Sequence, residues 1–264
     1  MPSSMLRQAS RCWRVGATGF SFLTFGCGGL LLGCAVFPLL GLFVRARERR
    51  IVIARQIISM AFRVFIALLR GLCVLRYEIT GLERLNRRGL LILANHPSLI
   101  DTVFLMAFVN GADCIVKSQL WKNPITGGPV RAAGYISNDS GVGLMADCIA
   151  SLQHGNNLII FPEGTRTDGP IKLKRGAANI AVRNLSNVTP VVIRCFPRTL
   201  VKGEKWWRVP PVTAHFSIDV KEDIDVHAFV MAAGGDGNET LAARHLTAHL
   251  QDYFKKESQS NAAA

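Results

Sequence analysis

Lysine is absent from the first 76 residues, and the only acid there is Glu48. Eleven arginines stand in the same stretch, so it carries +10 of the formal +13 of the 264-residue chain. The remainder is nearly balanced, which argues against a nucleic-acid partner, since that would want the charge on the folded domain. Clustered arginine beside the most apolar segment points instead to anionic membrane lipid. No two of the seven cysteines form a C-x-x-C pair and their number is odd, which excludes a secreted disulfide framework and fits reduced thiols facing a cytosol. On that face the Asn-x-Ser/Thr triplets at Asn138 and Asn184 are chance matches. No G-x-S-x-G elbow occurs, which disfavours a serine hydrolase. No internal repeat is present. With 49% apolar residues the chain is too hydrophobic for disorder outside its ends.

Charge is missing altogether from Val15 to Val44. A straight helix over that stretch is about 45 Å long, beyond a bilayer core of about 30 Å. The apolar run is too long for a signal peptide and lacks a small-residue cleavage site, so it reads as an uncleaved anchor. Gly26, Gly28, Gly29, Gly33, Pro38 and Gly41 interrupt it, and both flanks are basic. Those flanks fit either a hairpin that returns to one face or a single tilted span. Ile51–Leu75 is apolar but carries Arg55, Arg63 and Arg70 at spacings of 8 and 7, near one helix face. The expectation is a basic amphipathic helix in the headgroup region. The alternative is a second buried helix whose arginines reach outward.

After residue 76 the pattern becomes short apolar runs alternating with helical stretches. Strands are expected at Leu90–Ala94, Asp113–Lys117, Tyr135–Ile136, Asn157–Phe161, Pro190–Cys195 and Val212–Val220. Helices are expected from Pro97 to about Val109 and over about 142–153, 174–186 and 239–256. This alternation defines an α/β fold with a mainly parallel sheet flanked by helices, behind an N-terminal membrane-embedded, amphipathic helical segment. The domain reading is 1–76 for anchor and amphipathic helix, 77–257 for the folded domain and 258–264 for a disordered tail.

Two segments carry chemistry. In Leu90–Asp101 an apolar strand delivers His96 to its C-terminal end, where α/β proteins place ligands. Pro97 suits a first helical position, which puts His96 at a helix start and Asp101 one and a half turns inside. A carboxylate beside an imidazole fixes its tautomer and stabilises the imidazolium. With no nucleophile attached, such a pair suits deprotonation of a hydroxyl or amine that attacks a thioester directly. A capping histidine with an exposed aspartate is the plain alternative. The second segment, Leu158–Thr167, runs off a strand into Phe161-Pro-Glu163-Gly164-Thr165-Arg166, with Lys172, Lys174 and Arg175 following. Arginine there offers a bidentate fork to phosphate.

His96-x4-Asp101 followed by Phe-Pro-Glu-Gly-Thr-Arg resembles the lysophospholipid acyltransferase family, the glycerolipid acyltransferases that act on 1-acylglycerol-3-phosphate and related acceptors. Thr189–Ile193 and Lys174-Arg175-Gly176-Ala177 resemble further blocks of that family, and the likeness spans about residues 77–200. The resemblance implies that His96 and Asp101 are catalytic and that Glu163, Gly164, Thr165 and Arg166, with Lys174, hold the acceptor phosphate. It also implies that the N-terminal helices dock on a bilayer. An arginine that many members carry between the two blocks is Asn138 here, and Arg131 is the candidate to take its place. The implied activity moves a fatty acyl group from acyl-CoA or acyl carrier protein to a lysophospholipid on the cytoplasmic face of an inner membrane. An aminolipid-forming or aryl-polyene-type acyltransferase and a non-catalytic lipid binder are the alternatives. No metal or cofactor is expected: His245 and His249 lack a third ligand, and Gly141-Val-Gly143-Leu-Met-Ala146 is a superficial dinucleotide match. Trp206 and Trp207, among the cations of Lys202–Arg208, suit a second bilayer contact or a packed edge loop.

Overall fold

The computed structural model describes residues 2–167, 169–235 and 237–259. Helix α1, Pro2–Leu31, passes through a π-helical stretch at Leu32–Val36 into α2, Phe37–Phe43, without a turn. Pro38 explains the π-helical stretch. It has no N–H to donate and its ring crowds the carbonyl four residues back. The backbone widens just before it, and the Phe37 N–H bonds to the Leu32 carbonyl five residues earlier. A hairpin inside Val15–Val44 is therefore excluded; the chain reverses at residues 44–46 and returns as α3, Arg47–Gly71. The two rods run antiparallel, with the Trp13 indole N–H on the Leu72 carbonyl at one end and Gly41 beside Arg50 at the other. Both are long and apolar enough to cross a membrane.

The arginines of α3 correct the expectation of an interfacial basic face. Arg55 is buried, with its guanidinium on the Asp113 carboxylate at 2.8 Å and its Nε–H on the Ala133 carbonyl. Arg63 donates to the Ala107 carbonyl, and Arg70 lies over the Tyr77 ring. All three contact the folded domain, Arg55 from a buried position and Arg63 and Arg70 from exposed ones. The exposed residues of α3 include the apolar Val52, Met60 and Val64 beside Gln56, Arg63 and Arg70.

Strand β1, Leu75–Thr80, follows at once, so the expected boundary at 76/77 falls inside a strand. Then come β2, Leu91–Ala94; α4, Asp101–Phe108; β3, Ala112–Val116; α5, Ser118–Lys122; α6, Gly127–Ala133; and β4, Ile136–Ser137. They are followed by α7, Leu144–Gln153; β5, Asn157–Ile160; α8, Gly176–Arg183; β6, Val188–Phe196; β7, Ala214–Val220; α9, Val226–Ala232; and α10, Glu239–Gln259. The sheet order is β1-β7-β6-β2-β5-β3-β4, and every pairing is parallel except β6 with β7. The mainly parallel α/β expectation holds.

Central β2 is buried on both faces, as a strand covered by helices on each side must be. Ile92 and Ala94 join the core beneath α3 and α4. Leu91 and Leu93 join the opposite core beneath α7, α8, α9 and α10. Helix α4 starts at Asp101 and not at Pro97, because residues 97–100 form a turn closed by the Asp101 side chain. The expected tail at 258–264 shortens: Ser258 and Gln259 complete α10, and residues 260–264 lie outside the described residues. Trp206 is packed on α1 at Gly19 and Phe22, and both indoles remain partly exposed.

Candidate active site

Parallel strands β2, β5, β3, β4 and β6 all end on one edge of the sheet, and the two motif segments leave β2 and β5 there. Asn95 anchors the first segment. Its side-chain amide donates to the Ile193 carbonyl at 2.8 Å and accepts the Ile193 N–H at 2.7 Å, extending the β2–β6 ladder past the last strand residue. His96 follows, with its ring stacked on Phe161 at 4.2 Å between centroids. Its Nδ1 lies 3.0 Å from Asp101 Oδ2. That oxygen also accepts the Ser98 N–H at 2.6 Å, which closes the turn and fixes the carboxylate under the imidazole.

Asp101 is fully buried. Burial pushes its carboxyl up to about 6, against the hydrogen bonds from His96 and the Ser98 N–H, which favour the ionised form. At neutral pH it is the carboxylate that accepts the Nδ1 proton, and this leaves Nε2 with the lone pair. The other carboxylate oxygen, Oδ1, is buried without a hydrogen-bond partner among the described residues. Ser98 cannot serve as a nucleophile in this arrangement, because its hydroxyl is bound to the Thr199 carbonyl at 2.9 Å. Burial pushes the nearby Cys195 thiol up to about 12, which keeps it protonated. The arrangement can act as a general base and offers no covalent nucleophile at these two positions.

The structure brings the second segment to His96 as a brace. Glu163 is buried, and its Oε1 accepts the His96 N–H at 3.1 Å and the Thr167 hydroxyl at 2.9 Å. The Thr167 N–H returns to the His96 carbonyl at 2.7 Å. Gly164 takes a left-handed φ of +71°, and a Cβ there would come 2.9 Å from Lys174 Nζ. The Lys174 ammonium therefore lies over this turn, in which Thr165 is half-buried. Arg166 donates to the Leu200 and Val201 carbonyls at 2.9 and 3.2 Å, fixing the loop that follows β6. Arg131 is not brought to this group; it donates to the Trp121 carbonyl at 2.6 Å and lines a separate cleft against α2 and α3. Asn138, after β4, accepts the Ser118 N–H and offers no cation. Sequence reasoning missed the positioning roles of Asn95, Ser98 and Thr167; the signal for the first two was a buried polar residue at the end of an apolar strand. It also missed Lys117 and Arg198, exposed cations that follow β3 and β6 on the same edge.

A mainly parallel α/β sheet thus carries a His–Asp pair with a buried carboxylate at its strand ends, an arrangement able to act as a general base. The acyltransferase family profile matches residues 76–194. The chain is also similar in sequence to curated 1-acyl-sn-glycerol-3-phosphate acyltransferases. One such relative, from Helicobacter pylori, is 33% identical over 138 residues, 47% of this chain and 58% of that protein. Another, from Pseudomonas aeruginosa, is 30% identical over 142 residues, 49% of this chain and 53% of that protein. The matched region thus spans little more than half the length of these curated relatives. The crystal structure of the 1-acyl-sn-glycerophosphate acyltransferase PlsC from Thermotoga maritima shares the fold, with a TM-score of 0.72 at 21% identity over 98% of both chains.

Proposed function

We propose that the chain transfers a fatty acyl group from a thioester, acyl-CoA or acyl carrier protein, to a lysophospholipid such as 1-acylglycerol-3-phosphate in phospholipid synthesis. The observation that carries this reading is the His96–Asp101 pair, with its carboxylate buried and its imidazole held at a strand end without a nucleophile. His96 Nε2 takes the proton of the acceptor hydroxyl as that oxygen attacks the thioester carbonyl carbon. Asp101 stabilises the imidazolium that results. The tetrahedral intermediate collapses with cleavage of the C–S bond, and the thiolate leaves with the proton returned by His96. Lys174, with Arg198 and Lys117 on the same edge, supplies cations for the acceptor phosphate, while Glu163 and Arg166 hold the two loops that frame it.

The bilayer reading rests on the exposed side chains of the helical pair. Leu31, Leu42 and Phe43 on α1 and α2, and Met60 and Val64 on α3, are each more than half exposed, an apolar surface that suits lipid and not water. The arginine excess of the N-terminal segment favours the cytoplasmic face of an inner membrane.

The test is transfer from a radiolabelled thioester in membranes containing wild type or His96→Ala. Wild type should acylate 1-acylglycerol-3-phosphate, and the variant should lose transfer while staying with the membrane fraction. Full transfer by the variant would overturn the mechanism. Amine acceptors belong in the same assay, because Asn138 leaves the β4 end without a cation; transfer to them alone would establish the aminolipid reading instead.

A further inference from the structure

A cleft of about 280 Å³ lies where α2, α3 and α6 meet, away from the His96 loop. Arg47, Arg50 and Arg131 line it together with Phe37, Leu40 and Ile51. No carboxylate lines it, and none of the three arginines forms an ion pair among the described residues. Arg47 is also the first residue of α3, whose N-terminus has no side-chain cap. The first-turn amides carry no side-chain cap, and the one carboxylate of that turn, Glu48, does not line the cleft. Three guanidiniums around one cleft without a carboxylate in its lining favour an anion among them.

We propose that this cleft binds the phosphate of an anionic membrane phospholipid, whose acyl chain continues along the exposed apolar face of α2. The wall residues decide between a lipid and a water-soluble phosphate. Phe37 and Leu40 lead to Leu39, Leu42 and Phe43, which are exposed on the same short helix. A free phosphate or a coenzyme would gain nothing from that surface, whereas a phospholipid covers it and places its charge among the arginines. The site rests on the reading that α1–α3 face a bilayer and is independent of the chemistry at His96.

The test uses the full chain in a non-ionic detergent and reads thermal stability as lipid is titrated into the micelles. Phosphatidylglycerol should raise the melting midpoint of wild type, and phosphatidylcholine, inorganic phosphate and CoA should not. The double variant Arg47→Gln/Arg50→Gln should bind phosphatidylglycerol about tenfold more weakly or worse, since each charge-assisted contact to phosphate is strong. The matched variant Arg45→Gln/Arg49→Gln removes the same charge outside the cleft and should retain the response. Gly41→Leu fills the cleft with every arginine kept and should abolish the response, which also covers the case of a double variant that folds poorly. Equal loss in both arginine pairs, or an undiminished response in Gly41→Leu, would overturn the site. An equal effect of phosphate or CoA would overturn the lipid as its occupant. If the membrane reading alone fails, phosphatidylglycerol shifts nothing in wild type, while His96-dependent transfer persists.

Discussion

Replacing Asp101 by asparagine should make the protein more stable at neutral pH and much less active. The carboxyl is completely buried, and burial raises it from 3.8 to about 6. At 1.36 kcal/mol per pH unit that displacement is worth about 3 kcal/mol. The sign follows from proton binding. Between pH 4 and 6 the folded protein holds a proton on Asp101 that the unfolded chain has released, so this residue's contribution to stability falls as pH rises through that interval. Above pH 6 the folded protein carries a buried carboxylate at its full cost. The substituted amide carries no charge, and its oxygen can still accept the Ser98 N–H. The variant should therefore match wild type below pH 4, gain on it from pH 4 to 6, and level off at up to about 3 kcal/mol above. Urea unfolding of both proteins across pH 3.5–8 reads the difference and cancels other groups, such as Asp219, held low by hydrogen bonds from Thr80 and Arg194, and Asp223, held low by Arg87. Transfer should drop by about 10²–10⁴-fold, the usual worth of general-base assistance, because amide oxygen cannot stabilise an imidazolium as carboxylate does. In wild type, transfer should fall as pH drops below about 6. An Asp101→Asn protein less stable than wild type at pH 7, or one with a stability difference that does not depend on pH, would refute the account.

Glu163 and Arg55 give two further tests. Glu163→Ala removes the acceptor for the His96 N–H and the Thr167 hydroxyl, which should cost about 1–3 kcal/mol and lower kcat with little change in the acceptor KM. Glu163→Gln keeps an acceptor oxygen and should recover most of both; a rise in KM for both variants would instead make Glu163 a head-group ligand. Arg55→Met strands the buried Asp113 carboxylate, leaving it only the Ser151 hydroxyl and the Cys114 N–H. That should destabilise the fold by about 3–5 kcal/mol in thermal or urea unfolding, and adding Asp113→Asn should restore most of the loss. An Arg55→Met protein as stable as wild type would mean the pair does not hold α3 to the sheet.

The parts of the fold legible in the sequence were those whose signal is local. β2 and β5 are short apolar runs that end in polar turns, and the chemistry they deliver lies within a few residues of the strand end. His96 and Asp101 could be paired because the turn between them is closed by their own side chains. What escaped was set by distant partners. β1 reads Leu75-Arg-Tyr-Glu-Ile-Thr directly after a helix, and only its pairing with β7 makes it a strand. Gly127-Gly-Pro129 reads as a turn, yet it opens α6. The reason lies about 95 residues earlier: a Cβ on Gly128 would come 2.5 Å from the Cα of Gly33, so both glycines serve a close backbone approach between α6 and the N-terminal rod. The glycines that make residues 15–44 look like a poor membrane span are in part the contact surface for that helix.

The same dependence on distant partners explains the arginines of α3. Their spacing correctly puts them on one helix face, but periodicity does not say whether that face meets lipid or protein. The deciding information is Asp113, together with the free carbonyls of Ala107 and Ala133, groups that need a donor once the helix covers them. Arginine is the side chain long enough to reach them and to keep its charge paired. With these arginines engaged by the domain, Val52, Met60 and Val64 are left outside, beside the exposed apolar side chains of α1 and α2. The helical pair is thus tied to the folded domain by polar contacts, the buried Arg55–Asp113 pair chief among them, and leaves large apolar side chains exposed. In the proposed bilayer setting those side chains would carry no exposed apolar cost, and the His96 edge of the sheet would sit at a fixed position relative to the lipid from which the proposed acceptor would come.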